Sequence, residues 1–234
     1  MIHAINSTNS NYNKGAYQSF QNANNLKNGY IARRYHTSED VDFKTKVKAA
    51  SGGIIGTLLP IMYFTKKQTG KTPNLKRMIN MKYGLKEMCV TSLSGILGGA
   101  LFGMAGESEK KKIRKRKEAI FQTMNSMMPL LGVAGFLKLS DIIPELNNKP
   151  ARVTGTALGL TIGMYTGAKL SNKINDPKDL EPDRRVNMKD AIANIDDILS
   201  GLVLVKFPLI DKLQVEKILP LIFAWCGYRA GQSN

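Results

Sequence analysis

Polar and apolar positions along this chain segregate into long blocks instead of alternating every second or third residue. Residues 49–65, 88–106, 119–137 and 153–170 hold almost no charge, and each block is bounded by Lys, Arg or Glu. A helix rises about 1.5 Å per residue, so roughly 17–25 apolar residues are needed to cross the ~30 Å hydrocarbon layer of a bilayer. The four blocks lie at the short end of that range and predict four spanning helices. Two further helical segments, 188–206 and 212–230, keep charge-free cores only over 198–205 and 218–228, too short to span. The pattern therefore predicts an all-α integral membrane bundle with four strong spans and a C-terminal helical hairpin, or six spans arranged as three hairpins. Its divisions are a polar arm at 1–46, a four-helix membrane bundle at 47–173, a polar linker at 174–187 and the hairpin at 188–234.

Glycine spacing sharpens the picture. Gly155, Gly159, Gly163 and Gly167 fall four residues apart in the fourth block, Gly95, Gly99 and Gly103 in the second, Gly52 and Gly56 in the first, and Gly227 and Gly231 near the C terminus. Positions four apart share one helix face, so each set predicts a strip without side chains. In water an interior glycine costs about 1 kcal/mol relative to alanine. In lipid, small residues let helix backbones approach closely. These glycine zippers predict helix packing and also a groove that could seat a second copy of the chain. Pro60 and Pro129 are expected to kink the first and third helices. Short matches such as Lys117-Glu-Ala-Ile120 with Lys189-Asp-Ala-Ile192 suggest a repeated hairpin.

Composition changes the picture less than its distribution does. A mean hydropathy of -0.20 conceals the apolar blocks behind the polar arm and loops. The formal charge of +16 calls for an acidic counterpart. For a membrane chain, anionic lipid head groups come first, and Lys110, Lys111, Lys112, Arg114, Lys115, Arg116 and Lys117 are the candidate contacts. Nucleic acid is disfavoured, because no aromatic side chains are interleaved with these charges. The alternative is that the run is a solvated loop or an extension of the third helix. Lys and Arg are in excess on the side of the N-terminal arm whether four or six spans are counted, which puts the N terminus on the cytoplasmic side. The arm has no hydrophobic core of a signal peptide, and its Arg33-Arg34-Tyr35 is a weak match to a transit peptide. A bacterial inner membrane is therefore favoured over the mitochondrial one. Between the first two blocks, Leu75, Met78, Ile79 and Leu85 recur near helical spacing and predict an interfacial helix over 66–87.

Candidate chemistry is sparse. His3 and His36 both lie in the arm, and Cys89 and Cys226 are isolated, so no catalytic, metal or cofactor site is expected. Gly70-Lys71-Thr72 lacks the upstream glycine of a phosphate-binding loop, where Thr65 stands instead. Asp196 and Asp197, with Arg229, are the candidate ion-coupling or buried salt-bridge residues, since carboxylates in or near a bilayer are costly unless paired.

Four glycine-lined spans resemble, in architecture, the mitochondrial inner-membrane protein translocase family. The Arg and Asp of that family are not matched upstream of Gly98-Gly99, where Glu87 and Thr91 stand, and membership is not assigned. The sequence thus predicts a non-enzymatic membrane protein with a structural, scaffolding or helix-packing role. A pore, transporter or translocase-like component is the alternative, and a peripheral or soluble helical bundle is the third reading.

Overall fold

A computed structural model of the chain describes residues 41–178, 195–204 and 214–232, without the side chains of 195–197. The described residues are helical, with no strand among them. In chain order they form α1 (Phe43–Thr69), α2 (Leu75–Ile79), α3 (Leu85–Met104), α4 (Glu109–Ile142), α5 (Lys149–Asn175), α6 (Ile195–Leu204) and α7 (Leu219–Gln232), with short 3-10 turns at Pro144–Leu146 and Val215–Lys217.

Local chemistry sets the ends. Gly70 closes α1 with φ 66°, a left-handed conformation that glycine adopts without strain, and its N–H donates to the Lys66 carbonyl at 2.8 Å. The Asn148 side chain accepts from the Ala151 N–H at 2.9 Å and starts α5, with Pro150 in the first turn where its missing N–H is harmless. Pro60 and Pro129 lie buried inside continuous helices, α1 and α4. α4 runs 34 residues, so the basic run is its N-terminal extension and the helix is about 51 Å long.

Three of these helices, α1, α3 and α4, are long and apolar enough to cross a membrane. α5 is as long as α1, at 27 residues, but its glycines and threonines dilute its hydropathy below theirs.

The helices associate in two groups. α1 and α3 are antiparallel, and α7 lies against both of them, running parallel to α3. α4 and α5 form a second antiparallel pair, against which α6 packs. α6 thus lies mainly on the second group and α7 on the first, and the two meet in one core cluster through Val203, Leu219 and Phe223. The reason lies in their surfaces: Gly227 and Gly231 fit the glycine faces of α1 and α3, while Gly201 of α6 meets Leu160 and Val133 of the second pair.

One end is closed by a cluster of Ile61, Phe64, Met81, Tyr83, Met88, Leu130, Leu219 and Phe223. The interfacial helix expected over 66–87 is corrected here. Only α2 forms, a five-residue helix without a buried side chain, and the anchors are Met81 and Tyr83 in the loop after it. Asn74 and Asn80 cap α2 at both ends and cut the helix short.

Candidate functional site

The first junction is built from glycine doublets. Adjacent helix residues point about 100° apart, so a doublet can offer bare backbone to two neighbours at once. Gly52 faces the Gly98 carbonyl of α3, while Gly53 faces α7, where an added Cβ would stand 2.7 Å from the Ala224 carbonyl oxygen. On α3, Gly98 meets Gly52, and Gly99 meets the Gly227 carbonyl. Gly95 would collide with the Phe223 carbonyl oxygen at 2.8 Å, and Gly103 with that of Gly231. Gly56 lies on the Ser94 carbonyl. Three backbones therefore touch where α1, α3 and α7 meet, and at each of these glycines at least one obstacle is a main-chain atom that no rotamer change can move.

In the second junction Gly155, Gly159, Gly163 and Gly167 all face α4. The Phe136 ring fills the space above Gly155, and the others lie against backbone at Gly132, Met128 and Met124. At Gly163 an added Cβ would be 2.5 Å from both the Met128 oxygen and the Pro129 Cα, so the bare position admits the helix at its proline. The sequence reading missed Gly53, Gly98 and Gly132. The doublets Gly52-Gly53 and Gly98-Gly99 were the available signal.

A polar rim ties the helix ends together on the side where α1 begins. Lys48 Nζ donates to the Ala105 carbonyl at 2.6 Å, capping α3, and Thr45 Oγ1 donates to Glu107 Oε1 at 2.7 Å. Lys115 is 0 % exposed, and its Nζ donates to the Gly231 carbonyl at 2.9 Å, placing a cation on the C-terminal end of α7 where the helix dipole favours it. Burial pushes its ammonium below the usual lysine range, with Glu107 pulling the other way. Lys115 is thereby removed from the expected head-group contacts, because its stem and charge are enclosed between α4 and α7. Lys111 pairs with Glu107 and Lys112 with Glu109, whose carboxylate the Lys112 hydrogen bond holds below its usual range. Lys110, Arg114 and Arg116 are exposed. Asn175 Nδ2 donates to the Lys117 carbonyl at 3.0 Å and joins the end of α5 to this level of α4.

Arg229 is buried in α7. Asp196 and Asp197 fall in the first turn of α6, and their side chains lie outside the described residues. Among the described residues no three His, Cys, Asp or Glu side chains gather as a metal site. Cys89 is half-buried and Cys226 buried, and neither forms a disulfide among the described residues. No protein-family model, no curated protein and no solved structure matches the chain.

Proposed function

We propose that this protein is an integral membrane bundle whose role is structural: it holds α1, α3, α4 and α5 as spans in fixed contact through glycine zippers, with α7 seated at the same depth between α1 and α3. The observation that carries this reading is the amount of apolar surface turned outward on the long helices. Ile54, Ile55, Leu58, Leu59, Met62 and Tyr63 face outward on α1, Leu97, Leu101 and Phe102 on α3, and Val153, Leu158, Ile162 and Tyr165 on α5. The buried positions of the same helices mix glycine, Thr57, Thr65, Thr91, Ser92 and Thr156 with apolar residues such as Ile61, Phe64, Met88, Ile96 and Leu160. Water would penalise so much contiguous apolar surface, whereas lipid accepts it and rewards close backbone packing. α5 joins the spans on its outward apolar strip despite its diluted hydropathy. The N terminus is cytoplasmic, in a bacterial inner membrane. The glycine faces serve the chain's own helices, so a homo-oligomer formed through them is not part of the proposal.

Alkaline carbonate extraction tests integration: the intact protein stays with the membrane pellet, and its release would refute the reading. Single-cysteine reporters in a background lacking Cys89 and Cys226 test whether α4 and α5 cross. Positions 107 and 175 should label from the cytoplasm and 147 from the opposite side. Labelling of all three from one side excludes four spans.

A second reading, a pore or transporter, draws on Gln122, Asn125 and Ser126, polar side chains buried along α4. Ion flux through reconstituted liposomes that is lost in Gln122→Leu would favour it over the structural role.

A further inference from the structure

We infer that the outward face of the first turns of α4, together with the end of α5, binds the head groups of anionic phospholipids in the leaflet on the side of the N terminus. This rests on the membrane reading above. The apolar part of α4 begins at residue 119, so at about 1.5 Å per residue Arg116 stands ~4.5 Å and Arg114 ~7.5 Å outside the hydrocarbon layer. That depth is the head-group layer, which occupies about 5–7 Å on each face of the bilayer.

Two contacts fix which side chains point outward there. Lys115 is buried against the Gly231 carbonyl, so Arg114 and Arg116, each about 100° away around the helix, flank the bundle and are exposed. The bond from Asn175 to the Lys117 carbonyl brings α5 to the same level, where Lys173 is exposed. The neighbouring acids have other partners: Glu107 with Lys111 and Thr45, Glu109 chiefly with Lys112 and more weakly with the charge of Arg116, and Glu118 with the Gln122 side chain at 2.7 Å. Asp176, beside Asn175, also makes an interaction of its own. The remaining charge is a cationic surface at head-group depth, complementary to phosphate. Ile113, exposed among these charges, suits the boundary of head group and acyl chain. Residues 109–118 contain no aromatic side chain on which a nucleobase could stack. Each guanidinium also suits phosphodiester oxygens by geometry as well as charge.

The test uses the full chain reconstituted in vesicles of phosphatidylcholine mixed with phosphatidylglycerol. After detergent extraction, native mass spectrometry reads the ratio of the two lipids retained. The wild type should be enriched in phosphatidylglycerol. Arg114→Gln, Arg116→Gln and Lys173→Gln should each reduce that enrichment by about 5-fold at low salt, from the typical contribution of a basic residue near an anionic surface. A retained ratio equal to that of the vesicle, or one unchanged in the triple variant, overturns the assignment. So does displacement of the lipid by excess inorganic phosphate, or an oligonucleotide or acidic protein that binds the lipid-free protein through the same three residues. Carbonate extraction of both proteins separates the two failures. If the wild type leaves the pellet, the membrane reading fails; if both remain integral and retain the two lipids equally, only the lipid surface fails.

Discussion

Gly132 and Gly135 lie one turn apart on α4, and the same substitution should have different consequences at the two sites. A Cβ on Gly132 would fall 3.0 Å from the Gly159 carbonyl carbon and nearer still to its oxygen, whereas a Cβ on Gly135 meets nothing within 4 Å. Favourable carbon contacts lie at about 3.5–4.0 Å, so Gly132→Ala forces α4 and α5 apart by roughly 0.5–1 Å. Such a gap forfeits about a quarter to a half of each dispersion contact along the seam, and each contact is worth about 0.1–0.2 kcal/mol. Some tens of contacts from Phe136 to Met124 then amount to a loss of about 1–3 kcal/mol, the usual cost of overpacking. Alanine's better helix propensity offsets little, because a span separated from its neighbours stays helical in lipid. Gly135→Ala should therefore change stability by less than about 0.5 kcal/mol. Equilibrium unfolding of the purified protein in mixed micelles with increasing SDS, followed by circular dichroism or by Trp225 fluorescence, measures both. Equal shifts for the two variants, or no shift for Gly132→Ala, would show that the α4 and α5 backbones are not in contact there.

Two further outcomes follow from buried polar groups. Lys115→Ala opens a hole where a fully buried side chain stands and removes the donor to Gly231, costing about 2–4 kcal/mol, while Lys115→Met keeps most of the volume and costs less. Because burial lowers the Lys115 pKa in the folded state, the unfolded chain binds more protons between that lowered value and the ordinary lysine range. Stability should therefore rise with pH across that window in the wild type and lose this contribution in Lys115→Met. At the opposite end, the buried Tyr83 hydroxyl has no hydrogen-bond partner among the described residues, and burial, followed by the charge of Glu216, raises its pKa. Tyr83→Phe should thus be neutral or stabilising by up to about 1 kcal/mol in thermal melts near neutral pH. Above pH ~10, where an unfolded tyrosine ionises and the folded one does not, stability falls; the fall should be shallower in Tyr83→Phe, and an equal slope would refute the assignment.

Block length and bounding charge explain why so much of the helix layout could be read in advance. The blocks 49–65, 88–106 and 153–170 lie within or close to α1, α3 and α5, because charge at a block's edges marks where a helix leaves the apolar environment. The basic run was legible as either loop or helix, and extends α4 because Lys, Arg and Glu are all good helix formers. The region 66–87 was misread because Met81 and Tyr83 are isolated apolar residues in a loop, and an isolated residue has no period. Lys115 was grouped with its exposed neighbours for a related reason. Seven basic side chains in one short run look alike until a neighbouring helix covers one of them.

The sequence by itself indicated that the chain is helical, that its apolar segments are long enough to lie in a membrane, and that three of them carry glycines spaced along one face. Those properties are local, because periodicity and composition act within one helix. The tertiary structure alone decided what covers each face: Gly52 on α3 but Gly53 on α7, Gly99 against Gly227, and Gly155, Gly159, Gly163 and Gly167 wholly against α4. It also set α6 mainly on α4 and α5 and α7 on α1 and α3, and it enclosed Lys115. These outcomes depend on which backbones can approach within a few tenths of an ångström across more than a hundred residues of chain, and spacing along one helix carries no information about its partner.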